Sequence, residues 1–436
     1  MMTEPTVPPR GSRPLVAAQV VRVLRHELAL LGDTARMDQL LKIADQLLSR
    51  AATDDELPVR RATGPAADLT ALVAQELGEV HTDDSGHPQE DPTTSFESAQ
   101  PPSVSEADLL TAFRRHAPHT RPRAVQDVRR LSGGFSKETA RARVIDEEGN
   151  GTDVVIRKIA PGRRADGLRP EYDVVSFVAG SGIPVPHPLW FDEDGLGSPA
   201  FATTALPGRT VGNVWGWTQS PSLRLVRDLA RAMGTLHSLD PGGLADAPLP
   251  PLSSQDDHLA AIDEREEVLQ TIWLTGDAYR PVFARVLDWL RKNAPQDGAA
   301  RVLIHGDFAL HNALVADDRL TGLLDWERSH IGNPSEDLAY LKPSIDQADA
   351  WDDFVEEYRK AGGPPVNTRD LAYFTVWQDL WRGVSSYRIR AKFVAEPTQL
   401  SDAIAGLLMS PRFLARAARG LPQGTHTTSD RRPAGC

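Results

Sequence analysis

The chain has 436 residues, 40% hydrophobic and 25% charged, with a formal net charge of -12. That is ordinary for a folded protein of two or three domains. The acidic balance, without a long basic run, excludes a nucleic-acid binder working through clustered Lys and Arg, and one cysteine, Cys436, excludes an intrachain disulfide.

Residues 1–14 carry Pro, Gly and Arg without periodicity and read as disordered. Residues 15–80 form a helical module: Val16, Val20, Val23, Leu24, Leu28 and Leu31 recur at helical spacing, and similar patterns follow from Ala35 and Ala66. No chemistry shows in it, and it is a candidate homodimer element. Residues 81–104 are acidic, rich in Ser, Thr and Pro and free of Lys and Arg, which reads as a disordered linker. Its His81 and His87 read as solvated rather than metal-binding.

Order begins at Ser105, where Ser105-Glu106-Ala107-Asp108 is a capping-box start for a helix to about Arg115. A strand is expected over 125–131 and a returning strand over 139–145. The turn between them, Ser132-Gly133-Gly134-Phe135-Ser136, is small enough for backbone N–H groups to approach phosphates. A strand over 153–159 ends in Arg157 and Lys158, only one of which can face a site. Glu171 follows on the next helix. A strand over 199–206 stops at Pro207-Gly208. Amphipathic helices are expected over 222–239, carrying a packed His237, and over 281–293.

Residues 302–327, VLIHGDFALHNALVADDRLTGLLDWE, hold the chemistry. The expectation is two short strands that bring Asp307, Asn312 and Asp325 to one edge of a sheet. A kinase needs that set: an Asp for the substrate hydroxyl, and an Asn and a second Asp for magnesium. The interval from Asp307 to Asn312 is that of the catalytic loop H-R-D-x-x-x-x-N. Downstream, Glu336 and Asp337 begin a helix, where capping and dipole compensation offer the plain explanation. Helices over 351–361, 368–394 and 401–418 follow. The aromatic residues of the second suit a core better than a ligand wall.

Three pieces carry a family likeness: His305-Gly306-Asp307-Phe308 through Asn312, then Asp325-Trp326-Glu327, then Gly332-Asn333-Pro334-Ser335-Glu336-Asp337-Leu338-Ala339-Tyr340. In this order they resemble the aminoglycoside phosphotransferase and choline kinase superfamily, over roughly residues 105–420. The third piece is similar to bacterial phosphotransferases related to the kinase domain of acyl-CoA dehydrogenase fusions. The resemblance implies an α+β, bilobal protein-kinase-like fold, with a small antiparallel sheet lobe at 105–206 and a larger helical lobe at 207–421. The helical module precedes it and a disordered tail, 422–436, follows.

It also implies roles. Asp307 is catalytic; Asn312 and Asp325 bind Mg2+. Ser132, Gly133, Gly134, Ser136, Arg157 (in preference to Lys158), Glu171, Thr204 and Leu206 surround the nucleotide, ATP or GTP, the last two as hinge backbone. His305 and Asp337 support the catalytic loop. His311 departs from the family's usual Gly. Glu327, Trp377, Trp381 and Arg382 are substrate candidates. The partner is a small molecule with a hydroxyl, a hydroxyacyl compound first and an aminoglycoside or macrolide second. A non-catalytic nucleotide-binding module is the rival from another class. With no signal peptide and no apolar run long enough for a bilayer, a cytoplasmic location and no membrane partner are expected.

Overall fold

The computed structural model describes residues 102–131, 137–159, 168–211, 220–244, 247, 249–252, 254–273, 279–296, 301–395 and 409–421. The helical module, nearly all of the acidic linker, Ser132, Gly133, Gly134, Ser136 and the tail lie outside the described residues. The described chain divides into two compact units. One takes residues up to 258 together with 295–374; the other takes 259–294 and 375–421.

The first unit opens with helix α1, Glu106–His116. The Ser105 hydroxyl accepts from Asp108 N–H at 3.1 Å, and the Asp108 carboxylate accepts from Ser105 N–H at 3.1 Å. That reciprocal cap satisfies two donors the first turn would leave open. Strands β1 (Pro122–Leu131), β2 (Lys137–Asp146), β3 (Gly151–Ile159), β4 (Pro188–Asp192) and β5 (Ala200–Thr204) form an antiparallel sheet of order β1-β2-β3-β5-β4. Helix α2, Leu168–Val178, lies between β3 and β4 in sequence.

Alternation along β3 divides the sheet into two faces. Val154 and Ile156 join Ala140, Ala142 and Val144 of β2 in a core with Leu109 and Phe113 of α1 and with Trp190. Phe113 meets Trp190 edge to face, with ring centroids 5.4 Å apart. On the opposite face Ile159 packs with Leu168 of α2 and Phe201. Arg157 shares this second face, and Lys158 takes the first, its Nζ 3.5 Å from Ser103 Oγ. Lys137 opposes Ile159 and Thr139 opposes Arg157 in the β2–β3 register, so Lys137 stands on the Arg157 face.

The same unit continues through β6 (Arg209–Thr210), α3 (Leu223–Ser238), β7 (Pro251–Leu252) and α4 (Gln255–Ile272), which runs on into the second unit. Helix α5, Arg280–Asn293, belongs to that second unit. The chain then returns as β8 (Val302–Ile304), β9 (Ala313–Ala316), β10 (Arg319–Leu323) and β11 (His330–Gly332). Helices α6 (Ser335–Asp346) and α7 (Trp351–Lys360) follow. Helix α8, Thr368–Ala395, leads back to the second unit, where α9, Ser410–Gly420, ends the described chain.

The sequence expectation of one sheet edge for Asp307, Asn312 and Asp325 is corrected here. β8 pairs with β11 in the sheet β7-β11-β8, whereas β10 pairs with β9 in the sheet β10-β9-β6. The intervening residues Ala313–Ala316 are themselves a strand and capture β10 as a hairpin. Its turn residues Asp317 and Asp318 both have positive φ, 50° and 61°, the pattern of a type I′ turn. Two small sheets therefore share the three groups.

Candidate active site

Asp307 follows β8, Asn312 precedes β9 and Asp325 follows β10. The Asn312 carbonyl accepts from Leu324 N–H at 2.9 Å, one step beyond the Ala313–Leu323 pair. That bond ties the amide to the strand end carrying Asp325. The Asn312 Nδ2 donates to the Asp307 carbonyl at 2.9 Å, which leaves its amide oxygen as the free-facing acceptor. Asp325 has φ +66° and ψ +64°, a left-handed conformation costly for a non-glycine residue and enriched at functional sites.

The loop between Ile304 and Asp307 is held from behind. Asp337, fully buried on α6, accepts from His305 N–H at 2.8 Å and from Gly306 N–H at 2.9 Å. Burial opposes its ionisation, but the His237 contact and the His305 N–H bond outweigh that and hold the carboxyl below the usual range. His237 lies 3.3 Å from Asp337 through Nε2 and 2.8 Å from the Tyr358 hydroxyl through Nδ1. Gly306 has φ +78°, and a Cβ there would run into the Arg328 carbonyl, so only glycine fits.

His305 uses both ring nitrogens. Nδ1 accepts from Asp307 N–H at 3.2 Å, which leaves Nε2–H to donate to the Leu324 carbonyl at 3.1 Å. Burial pushes its pKa down, consistent with that neutral tautomer. Glu336 does not cap its helix: it is buried against His330, Oε2 to Nε2 3.1 Å. Asn333 supplies the local turn instead, its Oδ1 accepting from Ser335 N–H at 2.9 Å. The capping explanation for Glu336 and Asp337 is thus replaced by two tertiary contacts.

Asp307 itself is largely enclosed. Its Oδ2 lies 3.5 Å from His311 Nε2, and its Oδ1 is buried with no hydrogen-bond partner among the described residues. Burial works against the charge, but the His311 contact, Arg328 and the Tyr340 hydroxyl outweigh it and keep the carboxyl well below the ordinary carboxylate range. His311, the departure from the family pattern, is therefore a neighbour of the central carboxylate.

The sheet lobe contributes a charged network. Arg157 Nη1 pairs with Glu171 Oε1, and Arg157 Nη2 lies 3.0 Å from Asp325 Oδ1. Lys137 Nζ lies 2.6 Å from Glu171 Oε2 and 2.6 Å from Glu327 Oε2. Sequence reading missed Lys137, because it ended the turn at Ser136 and began the returning strand at Thr139, leaving Lys137 in neither. The signal was its parity: two residues before Thr139, it had to share the Arg157 face once β2 paired with β3.

The hinge candidates are placed by main-chain bonds. Thr204 N–H donates to the His187 carbonyl at 2.9 Å, and Ala205 N–H to the Asp153 carbonyl at 2.9 Å. Leu206 lies against Gly322. Trp377, Trp381 and Arg382 fall in the second unit, whereas Asp307 lies in the first. There Trp377 meets Trp381 at 5.7 Å between ring centroids, Arg265 sits over the Trp381 ring at 3.1 Å, and Arg382 lies 5.7 Å from the Phe413 ring.

Among the described residues no cluster of three or more His, Cys, Asp or Glu could cage a metal. One amide oxygen and one carboxylate are nonetheless what Mg2+ takes from a protein when phosphates and water complete its shell. No helix of the described residues is long and apolar enough to cross a membrane.

A sheet lobe with a cation held on a helix Glu, beside a loop presenting Asp, Asn and Asp, defines a kinase-like phosphotransferase. The phosphotransferase enzyme family model matches residues 127–374, more than half of the chain. The chain belongs to that family and is an enzyme of the phosphotransferase class. Among curated relatives it is 28% identical over 281 residues to probable acyl-CoA dehydrogenase IBR3 of Arabidopsis thaliana, covering 55% of this chain and 34% of the relative. It is 28% identical over 199 residues to acyl-CoA dehydrogenase family member 11 of Homo sapiens, covering 43% and 24%. The chain thus spans about a third or less of these relatives. Among solved structures, a Ralstonia eutropha protein provisionally assigned as an aminoglycoside phosphotransferase matches with TM-score 0.58 at 18% identity, covering 72% of this chain and 97% of that one. A thermostable mutant of aminoglycoside phosphotransferase APH(4)-Ia, solved with ADP and hygromycin B, matches with TM-score 0.51 at 17% identity, covering 72% and 98%. These likenesses establish the kinase-like fold.

Proposed function

We propose that the protein is an ATP-dependent small-molecule kinase that transfers the γ-phosphoryl group to a substrate hydroxyl. The observation that carries this reading is the Asp307 carboxylate: ionised, enclosed and fixed, with Oδ1 buried and without a hydrogen-bond partner among the described residues. A buried acceptor without a donor is costly. A substrate hydroxyl supplies that donor. Asp307 then orients the hydroxyl oxygen and takes its proton as the new O–P bond forms and the bond to the nucleoside diphosphate breaks. A carboxyl held so far below the usual range is a weak base, which suits a reaction limited by positioning and charge.

Arg157, with Glu171 behind it, holds phosphate oxygens. Asn312 and Asp325 hold Mg2+, which when bound neutralises phosphate charge. His305 and Asp337 keep Asp307 in place, and the backbone at Thr204 and Leu206 receives the base. The acceptor is a hydroxyacyl compound. Support comes from the acyl-CoA dehydrogenase names of the curated relatives, whose matched portions include the kinase-like residues.

The test is ADP release from ATP with and without Mg2+, across hydroxyacyl-CoAs, aminoglycosides, macrolides and choline. Turnover stimulated by a hydroxyacyl compound and lost in Asp307→Asn supports the reading. Stimulation by an aminoglycoside or macrolide instead would replace the acceptor class. Absence of Mg-ATP binding would overturn the kinase reading itself.

A further inference from the structure

Glu171 is 1% exposed and carries two cations, one on each carboxylate oxygen: Arg157 on Oε1 and Lys137 on Oε2. Each cation also touches a second carboxylate, and both of these face open space. Asp325 is 35% exposed and Glu327 36% exposed, whereas the Lys137 side chain is 5% exposed. The two halves of the network have the same design. Each has a buried anchor that cannot be replaced by solvent, and an outer partner that can.

The outer contacts are the weak ones, since a half-exposed pair is screened by water and gains little. The anchor contacts are costly to break, since Glu171 is desolvated and losing a cation would leave its buried charge uncompensated. An incoming polyphosphate, with several charged oxygens, outcompetes a single exposed carboxylate for a cation already in position. Arg157 has a further reason to accept one: its Nε is buried with no hydrogen-bond partner among the described residues. Lys137 stands on the same sheet face, two residues from the one opposite Arg157.

The geometry points to Lys137 as a second phosphate-binding cation, held on Glu327 until a nucleoside polyphosphate displaces that carboxylate. It rests on the nucleotide-dependent reading above and extends it from one cation to two. Arg157 and Lys137 face Glu171, Asp325 and Glu327, so the empty network is one cation short of neutral. With phosphate oxygens on both cations, Glu327 would lose its Lys137 partner and its carboxylate would be left free to meet the acceptor.

The experiment is calorimetric titration of the full chain with ATP, ADP and adenosine in the presence of Mg2+, for the wild type, Lys137→Gln, Lys137→Arg and Glu327→Gln. Lys137→Gln is expected to weaken ATP and ADP binding by about tenfold, as for loss of one charged hydrogen bond, with adenosine unchanged. Lys137→Arg should recover most of the loss. Glu327→Gln should tighten ATP binding by about two- to fivefold, because it removes the competing partner of Lys137. Wild-type ATP affinity in Lys137→Gln overturns the inference and leaves the kinase reading standing. Equal losses of ATP and adenosine also overturn it, since they mark a structural strut. If Lys137→Gln fails to fold, Glu327→Gln decides: tighter binding supports the inference, and unchanged or weaker binding overturns it. A wild-type chain that binds adenosine but neither ATP nor ADP fails both readings.

Discussion

Asp337 and Glu171 are both buried carboxylates on helices, and each serves more than one partner. Asp337 accepts from the main-chain N–H groups of His305 and Gly306. Glu171 accepts from the side chains of Arg157 and Lys137. Main-chain donors cannot leave without unfolding the loop, so Asp337 fixes Asp307 before any substrate arrives. Side-chain cations on flexible stems can turn toward a ligand while one contact stays in place, so Glu171 would keep the proposed phosphate site adjustable. The loop that carries Asp307 is braced without a ligand, whereas the proposed phosphate site of the sheet lobe would be completed by one.

Four variants test that difference, and the largest effect belongs to the loop. Asp307→Asn removes the proton acceptor and should lower kcat by about 10²–10⁴-fold, with Mg-ATP affinity kept, measured by ADP release and calorimetry. Loss of ATP binding in this variant would show that the loop is not independent of the nucleotide. Asp325→Asn should abolish turnover as completely, and the effect should be on metal dependence.

The next effect compares the two anchors. Asp337→Ala leaves two buried N–H groups unpaired and should cost about 2–4 kcal/mol in urea unfolding. Glu171→Gln should cost less stability, because Arg157 and Lys137 keep Asp325 and Glu327 as partners. Its effect should fall on the nucleotide KM, raised about tenfold. A Glu171 variant that unfolds the chain while Asp337→Ala does not would reverse the contrast.

The smallest effect is in pH. The Asp337 pKa is depressed, so its contribution is present above about pH 4, the unfolded value, and is lost as pH falls through the lower folded value. His330 moves the other way. Burial works against its charge, but the contact with Glu336 and the bond to the Arg328 carbonyl outweigh it and raise its pKa. Its contribution is fully present below about pH 6.5 and is lost as pH rises through the folded value. Urea midpoints at pH 5.5 and 8.5 should therefore differ less in His330→Asn than in the wild type. An equal difference in both would remove His330 from the account.

Much of the site was legible in the chain. Asp307, Asn312 and Asp325 stand at fixed intervals in one stretch, bounded by apolar runs that had to be strands. Strand parity limited the choice between Arg157 and Lys158 to one, and pairing in the sheet placed Arg157 on the face of Glu171. The Ser105 cap was readable because a capping box is local, complete within four residues. The partner of Glu336 was not legible, and for Asp337 only the family resemblance pointed to the loop: a helix-start carboxylate looks the same whether it caps or reaches His330 or the loop N–H groups. Lys137 was hidden for a related reason, since its role depends on strand register and on Glu171 and Glu327, 34 residues and many more away.

The sequence by itself determined which chemistry was present, because charge, amide and carboxylate types and their short-range spacing are written in order along the chain. Tertiary structure alone decided which carboxylate is buried, which is left partly exposed, and which cation each one holds. Those outcomes follow from desolvation and from pairings between distant strands and helices, and neither quantity exists until the chain has folded.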